Sequence, residues 1–322
     1  MITLTGITWI TTYNCNLACQ HCFFDTRSHS KYMDPGLADM VLNGFEFGRH
    51  MFWQHLSGGE IFLDESRLLD IIGRIHYYFK KDIGISTNAF WAANYDKAMP
   101  LVQKLAALGV TGIALSADYY HQQQMPIDGP QNLVKILCSG QLKTHSYIMG
   151  ARLHTSVQNS ALVNAKSEEI TKLADQGFGL PVARAMERSI GKGCHINVPK
   201  KKGIPRGHCT ELNTCLGQRS PFNPAMVWID PYGNVMVCYG IIIGNVYQQP
   251  FNEIIGHYNA AGHPVLKLLA EEGPAALYEM AVSNGTDMPE SYFDECDLCY
   301  QSRAALRKLY PQLFGPHECY PV

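Results

Sequence analysis

Residues 4–24 read LTGITWITTYNCNLACQHCFF, and this stretch sets the expectations for the whole chain. The apolar, β-branched run over residues 4–12 predicts a buried strand. Three cysteines with the spacing C-x3-C-x2-C follow directly after it, namely Cys15, Cys19 and Cys22. Closely spaced thiols after a first strand predict a metal-binding or catalytic loop.

The composition limits the class of protein. The chain has 322 residues, a formal net charge of −2 and 11 cysteines. This length predicts one large α/β unit or two domains. The 46% hydrophobic and 17% charged content excludes a wholly disordered chain. The near-neutral charge gives no electrostatic footprint for nucleic acid or an anionic membrane surface.

No sign of export appears at the amino terminus. No apolar run reaches the length of a membrane span, and the first residues lack the basic start and cleavage site of a signal peptide. We therefore expect a cytoplasmic protein with no nucleic acid and no membrane among its partners. Because disulfides are rare in a reducing cytosol, metal ligation or catalysis has to explain most of the cysteines.

The first half alternates short apolar runs with amphipathic helical patterns, which predicts a parallel sheet with right-handed crossovers. The strand candidates are 4–12, 52–56, 83–87, 112–115, 146–151 and 178–182. The helix candidates are 34–47, the stretch after the N-cap Asp64, 96–108, 131–138 and 167–176. Six repeats are too few for a closed eight-stranded barrel, so we expect an open, partial (β/α)6 barrel over residues 1–190.

The composition changes after residue 190. Residues 191–208 are rich in Gly, Pro and Lys and predict a linker. Beyond them, the turn at 230–234 between two apolar runs predicts a β-hairpin. Helical patterns at 250–259, 265–272 and 302–309 complete a small α+β domain over residues 209–322. Most of the remaining cysteines lie there: Cys209, Cys215, Cys238, Cys296, Cys299 and Cys319.

The amino-terminal cysteine triplet has three possible explanations. Three thiolates can hold three irons of a four-iron cluster and leave the fourth iron open to a substrate or cofactor. A structural zinc ion needs a fourth ligand, which His21 could supply, although its place between two ligands makes this difficult. The third explanation is three buried cysteines. Spacing alone favours the cluster and leaves zinc open.

The run of Cys15, Cys19 and Cys22, with His21 in an aromatic position, resembles the signature of radical S-adenosylmethionine enzymes. Similar motifs of that family follow at later strand ends, in Ser57-Gly58-Gly59-Glu60, Ser86-Thr87-Asn88 and Ser116. The resemblance implies a [4Fe–4S] cluster on the three cysteines with an open iron that binds S-adenosylmethionine. It also implies contacts to this cofactor from a larger set: His21, Gly58, Gly59, Glu60, Ser86, Asn88, Ser116 and Arg152.

The resemblance further implies an oxidoreductase or isomerase that reductively cleaves S-adenosylmethionine. The resulting 5′-deoxyadenosyl radical abstracts a hydrogen atom from the substrate, and an external donor such as flavodoxin or ferredoxin supplies the electron. Glu60 would accept from the α-ammonium group of the cofactor, and Ser86 and Asn88 would contact its ribose. Asp118 and His121 are further candidates, although a helix cap and a surface histidine are the simpler explanations.

The carboxy-terminal cysteines resemble the ligands of SPASM and twitch domains, which carry auxiliary iron–sulfur clusters. The shorter twitch form implies one auxiliary [4Fe–4S] cluster, held by Cys215, Cys238, Cys296 and Cys299. Four cysteines also suit structural zinc, so that alternative stays open. A zinc-bearing binding module with a degenerate barrel is the non-enzymatic alternative.

Two cysteines remain ambiguous at this stage. Cys209 could replace Cys215 as a ligand or act as a free thiol that returns a hydrogen atom to the substrate. Cys319 could be a remnant of a second auxiliary cluster or a spare surface thiol.

Residues 88–91 and 118–121 resemble stretches of twitch-type peptide epimerases, which invert α-carbons in ribosomally synthesised peptides. Those enzymes have a cysteine hydrogen donor directly after the second auxiliary ligand, where this chain has Tyr239. Tyr239 and Cys209 are therefore the candidate catalytic donors. We expect epimerisation or another maturation of a ribosomal peptide. The alternative is a small-molecule dehydrogenase or epimerase that acts on a sugar or aminocyclitol.

Overall fold

The amino-terminal half of the computed structural model alternates strands and helices. The structure describes residues 2–22, 24–26, 31–47, 51, 53–117, 119–139, 147–149, 201–208 and 221–320. The strands are β1 (Gly6–Thr12), β2 (Trp53–Gly58), β3 (Asp82–Thr87), β4 (Val110–Leu115) and β5 (Tyr147–Met149). The helices are α1 (Gly36–Leu42), α2 (Glu65–Phe79), α3 (Tyr95–Ala107), α4 (Tyr119–Gln122) and α5 (Asp128–Cys138).

These five strands pair in parallel in the order β5-β4-β3-β2-β1. The predicted α/β class with a parallel sheet is therefore confirmed. The sixth strand candidate, 178–182, and the helix candidate 167–176 lie outside the described residues.

Helix α2 shows how local sequence sets the boundaries. The Asp64 side chain accepts a hydrogen bond from the Arg67 backbone N–H at 3.1 Å, which caps the helix where predicted. Helix α1 is shorter than the predicted 34–47, because Asn43 has an extended conformation after Leu42. Phe45 and Phe47 therefore leave the helix and pack on other aromatic rings.

The carboxy-terminal half contains the predicted hairpin and more. Its strands are β6 (Lys201–Lys202), β7 (Met226–Ile229), β8 (Asn234–Cys238), β9 (Ile241–Asn245) and β10 (Ser291–Tyr292). Its helices are α6 (Phe251–Gly256), α7 (Pro264–Glu271), α8 (Pro274–Ser283) and α9 (Glu295–Leu306). Strands β7 and β8 form the hairpin, whereas β9 and α8 were not predicted. Helix α9 begins earlier than the predicted 302–309, because the Asp294 side chain caps it by accepting from the Asp297 N–H.

One sheet runs through both halves. Strand β7 pairs in parallel with β1, from Gly6 opposite Met226 to Trp9 opposite Ile229. The complete order is β5-β4-β3-β2-β1-β7-β8-β9. The segments on either side of residues 191–208 thus contribute strands to the same sheet, and the division into two domains stays a prediction. Among the described helices, none combines the length and apolar character needed to cross a membrane.

Candidate active site

The carboxyl ends of β1 and β2 are tied together by backbone hydrogen bonds. The Gly59 N–H donates to the Thr12 carbonyl at 2.8 Å, and the Glu60 N–H donates to the Asn14 carbonyl at 2.8 Å. Active sites of parallel α/β folds assemble at this edge of the sheet. The loop that carries Cys15 therefore starts from a fixed position beside the end of β2.

Two predicted cofactor-binding glycines make this approach possible. A Cβ on Gly58 would lie 2.2 Å from the Thr12 carbonyl oxygen, and Gly58 has a φ of +141°. A Cβ on Gly59 would lie 2.0 Å from the Asn14 carbonyl oxygen. Any side chain at either position would force the two strand ends apart.

Glu60 is fully buried, and its carboxylate links the ends of β2 and β3. It accepts from the Phe62 N–H at 3.1 Å, the Thr87 hydroxyl at 2.9 Å and the Asn88 N–H at 2.7 Å. Burial raises the pKa of Glu60 to about 7, although these hydrogen bonds oppose the rise. A carboxylate has about four acceptor positions, so one position remains for a further donor.

Asn88 connects this carboxylate to the cysteine loop. Its side-chain Nδ2 donates to Asn16 Oδ1 at 2.9 Å and lies 3.9 Å from Cys15 Sγ. Ala89, the next residue, is buried with a φ of +61°, a conformation that non-glycine residues rarely adopt. Such backbone strain concentrates at functional sites. Asn88 is thus held between Glu60 and the first cysteine.

The three amino-terminal cysteines are free thiols in one loop. The Leu17 N–H donates to Cys15 Sγ at 3.4 Å. The Phe24 N–H donates to Cys22 Sγ at 3.4 Å. Burial raises the pKa of Cys15 to about 12, and the charges of Glu60 and the other two thiols raise it further. The thiols are therefore protonated until a cation displaces the protons.

This donor set fits a cluster better than a single zinc ion. In the described part of the chain, no group of three or more His, Cys, Asp or Glu side chains could hold one metal ion. Structural zinc requires all of its ligands on the same ion, whereas the thiolates of a four-iron cluster bind separate irons. Backbone N–H donors to two of the sulfurs are also the interactions that tune cluster thiolates.

His21 is held by aromatic packing. Its ring stacks on Tyr120 at 4.8 Å between centroids and meets the His121 ring edge-on at 5.0 Å. The nearby Gln124 Oε1 accepts from the Ala18 N–H at 2.7 Å. The segment after β4 therefore lies against the cysteine loop. Tyr120 and Gln124 were not predicted, since single polar and aromatic residues after a strand carry no specific signal.

Ser86 and Ser116 are half-buried at the ends of β3 and β4. The Ser86 hydroxyl and His55 Nε2 are 2.7 Å apart, so its partner in the described structure is a histidine of β2. The Ser116 N–H donates to the Thr87 carbonyl at 2.8 Å. His55 was missed by the sequence analysis, although it alternates with buried residues along β2, the signal for a separate face of the strand.

Three of the four predicted auxiliary ligands lie in described elements. Cys238 ends β8, and Cys296 and Cys299 lie in the first turns of α9. Burial raises the pKa of Cys299 to about 11, and the thiols of Cys238 and Cys296 raise it further. This mutual influence indicates that the three thiols are neighbours. Four predicted site residues lie outside the described residues: Asp118, Arg152, Cys209 and Cys215.

Tyr239 lies between the two cysteine groups. It is buried, and its ring meets the rings of Phe24 at 5.3 Å and Trp228 at 5.5 Å. Burial raises the pKa of Tyr239 well above 10, and the adjacent Cys319 and the Cys22 thiol contribute. A residue two positions after Cys22 thus touches the residue directly after Cys238.

Cys319 is fully buried, so its interpretation as a surface thiol is wrong. Its Sγ lies 3.3 Å from the Tyr13 hydroxyl. Tyr13 follows β1, which places Cys319 beside the start of the first cysteine loop. Burial raises the pKa of Cys319 to about 12, and contacts with Tyr13 and Tyr239 oppose the rise. The sequence could not place it, because more than 300 residues separate Tyr13 from Cys319.

No protein-family model matches the chain. It is 28% identical over 129 residues to the "Putative peptide biosynthesis protein YydG" of Bacillus subtilis (strain 168). This match spans 38% of the chain and 38% of the relative, so most of the relative's length lies outside it.

Solved structures with a similar course of the chain are more distant in sequence. BtrN in complex with AdoMet and 2-DOIA is 17% identical with a TM-score of 0.44, covering 84% of this chain and 89% of that chain. Streptococcus suis SuiB bound to the precursor peptide SuiA is 11% identical with a TM-score of 0.40, covering 93% and 76%. The enzyme anSMEcpe with bound AdoMet is 11% identical with a TM-score of 0.38, covering 96% and 97%. With TM-scores below 0.5, neither reaction nor substrate is inferred from these three.

Proposed function

We propose that this chain, a member of the radical S-adenosylmethionine enzymes, abstracts a hydrogen atom from a residue of a ribosomally synthesised peptide. The observation that carries the proposal is the continuous contact from Glu60 through Asn88 to Cys15. It joins a buried carboxylate, a polar strand end and a cysteine loop at one edge of a parallel sheet.

Cys15, Cys19 and Cys22 would hold the [4Fe–4S] cluster, and the open iron would bind S-adenosylmethionine. When bound, these groups together supply a 5′-deoxyadenosyl radical that takes a hydrogen atom from a carbon of the substrate. Glu60 has one acceptor position left for an ammonium group, which supports its role at the amino end of the cofactor. Asn88 orients that end by fixing the Glu60 carboxylate with its backbone N–H.

Other residues of the site complete the binding surface. Gly58 and Gly59 keep the end of β2 against the cysteine loop, and His21 lies on the side where Tyr120 packs. Ser86 and Ser116 line the strand ends next to Asn88. Arg152, outside the described residues, completes the proposed set of contacts to the cofactor.

The peptide substrate is supported by the named role of the curated relative, a peptide biosynthesis protein. Tyr239 and Cys209 are the proposed hydrogen donors that return an atom to the substrate. The position of Tyr239, between the loop of Cys22 and the end of β8, supports this role. An external one-electron donor such as flavodoxin or ferredoxin would reduce the enzyme.

Deuterium incorporation tests the reaction. Short peptides encoded beside the gene are co-expressed with the enzyme in D2O, and the products are analysed by mass spectrometry and chiral amino-acid analysis. Epimerisation predicts one solvent deuterium at an inverted α-carbon, and loss of this label with Tyr239→Phe or Cys209→Ala identifies the donor. A two-electron oxidised product without deuterium would contradict epimerisation. Turnover of a sugar or aminocyclitol, with none of a peptide, would establish the small-molecule alternative.

The auxiliary cluster on Cys215, Cys238, Cys296 and Cys299 is a separate part of the proposal. Anaerobic reconstitution should give about eight irons per chain if both four-iron clusters form. The double variant Cys296→Ala/Cys299→Ala should retain about four irons. Cys138→Ala is the control and should keep the wild-type iron content. A wild-type value near four irons would remove the auxiliary cluster from the account.

A further inference from the structure

Arg303 is a buried arginine one turn after Cys299 in helix α9, with 2% of its surface exposed. Its Nε donates to the Cys299 backbone carbonyl at 3.3 Å. Its Nη1 donates to the backbone carbonyl of Tyr239. The guanidinium group therefore joins the segment that carries Cys299 to the segment that carries Cys238.

No carboxylate neutralises this cation within the described part of the chain. The ion pairs found there do not include Arg303. The buried carboxylates of the carboxy-terminal half bind elsewhere, since Asp230, Asp297 and Glu318 accept hydrogen bonds from other groups. The two carbonyl groups bound by Arg303 satisfy donors but supply no countercharge.

The groups that face Arg303 are thiols and phenol rings. Its guanidinium carbon lies 5.9 Å from the centre of the Tyr300 ring and 5.7 Å from that of the Tyr320 ring. The thiols of Cys238 and Cys299 are near enough to influence its charge. Protonated thiols and phenols are neutral, and a buried charge without a counter-ion is strongly destabilising. The cysteines become that counter-ion only when they are thiolates.

We propose that Arg303 is the counter-ion of the auxiliary cluster and a positioning residue that raises the cluster's reduction potential. The proposal rests on the auxiliary cluster of the proposed function. A four-iron cluster with four thiolates is an anion, and its reduced form carries one more negative charge. A fixed cation nearby stabilises the reduced form more than the oxidised form, and low solvent exposure strengthens the effect.

The test isolates the auxiliary cluster in the full-length chain. In a background with Cys15, Cys19 and Cys22 all changed to Ala, only the carboxy-terminal cysteines can bind a four-iron cluster. Arg303→Met removes the charge, Arg303→Lys retains it, and Arg307→Met is the control one turn further along the chain. The readouts are iron content and the midpoint potential from a redox titration followed by electron paramagnetic resonance.

The expected result is a lower midpoint potential in Arg303→Met than in the background protein, with no change in Arg307→Met. Arg303→Lys should stay closer to the background value than Arg303→Met. An unchanged potential in iron-loaded Arg303→Met would overturn the proposal, as would an equal fall in Arg303→Lys.

Two further outcomes are also decisive. If Arg303→Met loses its iron, the comparison of Arg303→Lys with Arg307→Met decides. A shared potential supports the role of the charge, and a fall in Arg303→Lys alone contradicts it. A background protein without iron would overturn both this proposal and the auxiliary cluster. The radical chemistry of the amino-terminal cysteines would remain testable by its own assay.

Discussion

Glu60 is the side chain that joins most parts of the candidate site. Its buried carboxylate receives donors from its own loop and from the end of β3. Hydrogen bonds to a charged acceptor are stronger than neutral ones, and they offset the cost of burying the charge. The proposed binding of S-adenosylmethionine and the stability of the fold therefore depend on the same two oxygen atoms.

We expect Glu60→Gln to impair both properties. The new amide group places donors opposite the N–H and hydroxyl donors that now bind the carboxylate, which costs roughly 1–3 kcal/mol. Urea unfolding of the apo protein and calorimetric titration with S-adenosylmethionine measure the two effects. Glu65→Gln, at an exposed position of α2, is the matched control. Equal behaviour of the two variants would contradict the role of Glu60.

Asp230 gives the fold a predictable pH dependence. Burial raises its pKa from 3.8 to about 6, although hydrogen bonds from Asn234, Tyr232 and Tyr13 oppose the rise. Because the folded state then binds the proton more tightly than the unfolded state, protonated Asp230 favours folding. Its stabilising contribution is complete below about pH 4 and is lost as the pH rises to about 6.

The comparison with Asp230→Asn isolates this group. The advantage of the wild type over the variant in unfolding free energy should be roughly 3 kcal/mol larger at pH 4 than at pH 7. Urea titrations of both apo proteins across this range measure it. A difference between the two proteins that does not change with pH would show that Asp230 titrates normally.

Residues next to strand ends could be predicted, and residues brought together by the fold could not. Glu60 and Asn88 each follow a strand directly, so their place at the sheet edge could be read from the chain. Arg303 and Cys319 carry no comparable signal. Arg303 contacts Tyr239 across 64 residues of sequence, and only the folded chain shows that it lacks a carboxylate partner among the described residues.

At the level of the elements, the junction between β1 and β2 depends on glycine. We expect Gly59→Ala to destabilise the protein by at least 1–3 kcal/mol, the usual range for overpacking, because its Cβ would lie 2.0 Å from the Asn14 carbonyl oxygen. Gly256→Ala in α6 is the control, since its Cβ would meet no atom within 4 Å. Thermal unfolding measures both variants. A Gly59→Ala protein as stable as the control would contradict the close approach.

Elements with strong local signals matched the sequence analysis, and the misses have physical causes. Helix α2 has a cap and an apolar face within one stretch, so it was predicted with its start. Helix α9 was placed too late because its first turns contain the cysteine pair rather than an apolar pattern. Helix α8 begins with Pro274 at its first position, a start signal that went unused.

For the whole molecule, the pairing of β1 with β7 is the decisive long-range feature. It continues the parallel sheet into the carboxy-terminal half and brings Tyr239, after β8, against Phe24. The two cysteine groups therefore share one scaffold, which suits electron transfer between clusters held by each group. Composition indicated a division near residue 200, but no sequence pattern reveals which strands pair across more than 200 residues.

The most direct measurement is the production of 5′-deoxyadenosine from S-adenosylmethionine by anaerobically reconstituted, reduced protein. The account predicts that the wild type forms 5′-deoxyadenosine and methionine, and that Cys19→Ala forms neither. Cys138→Ala, at a cysteine outside both groups, should behave as the wild type. An iron-loaded wild type that yields no 5′-deoxyadenosine, or a Cys19→Ala variant that yields as much, would contradict it.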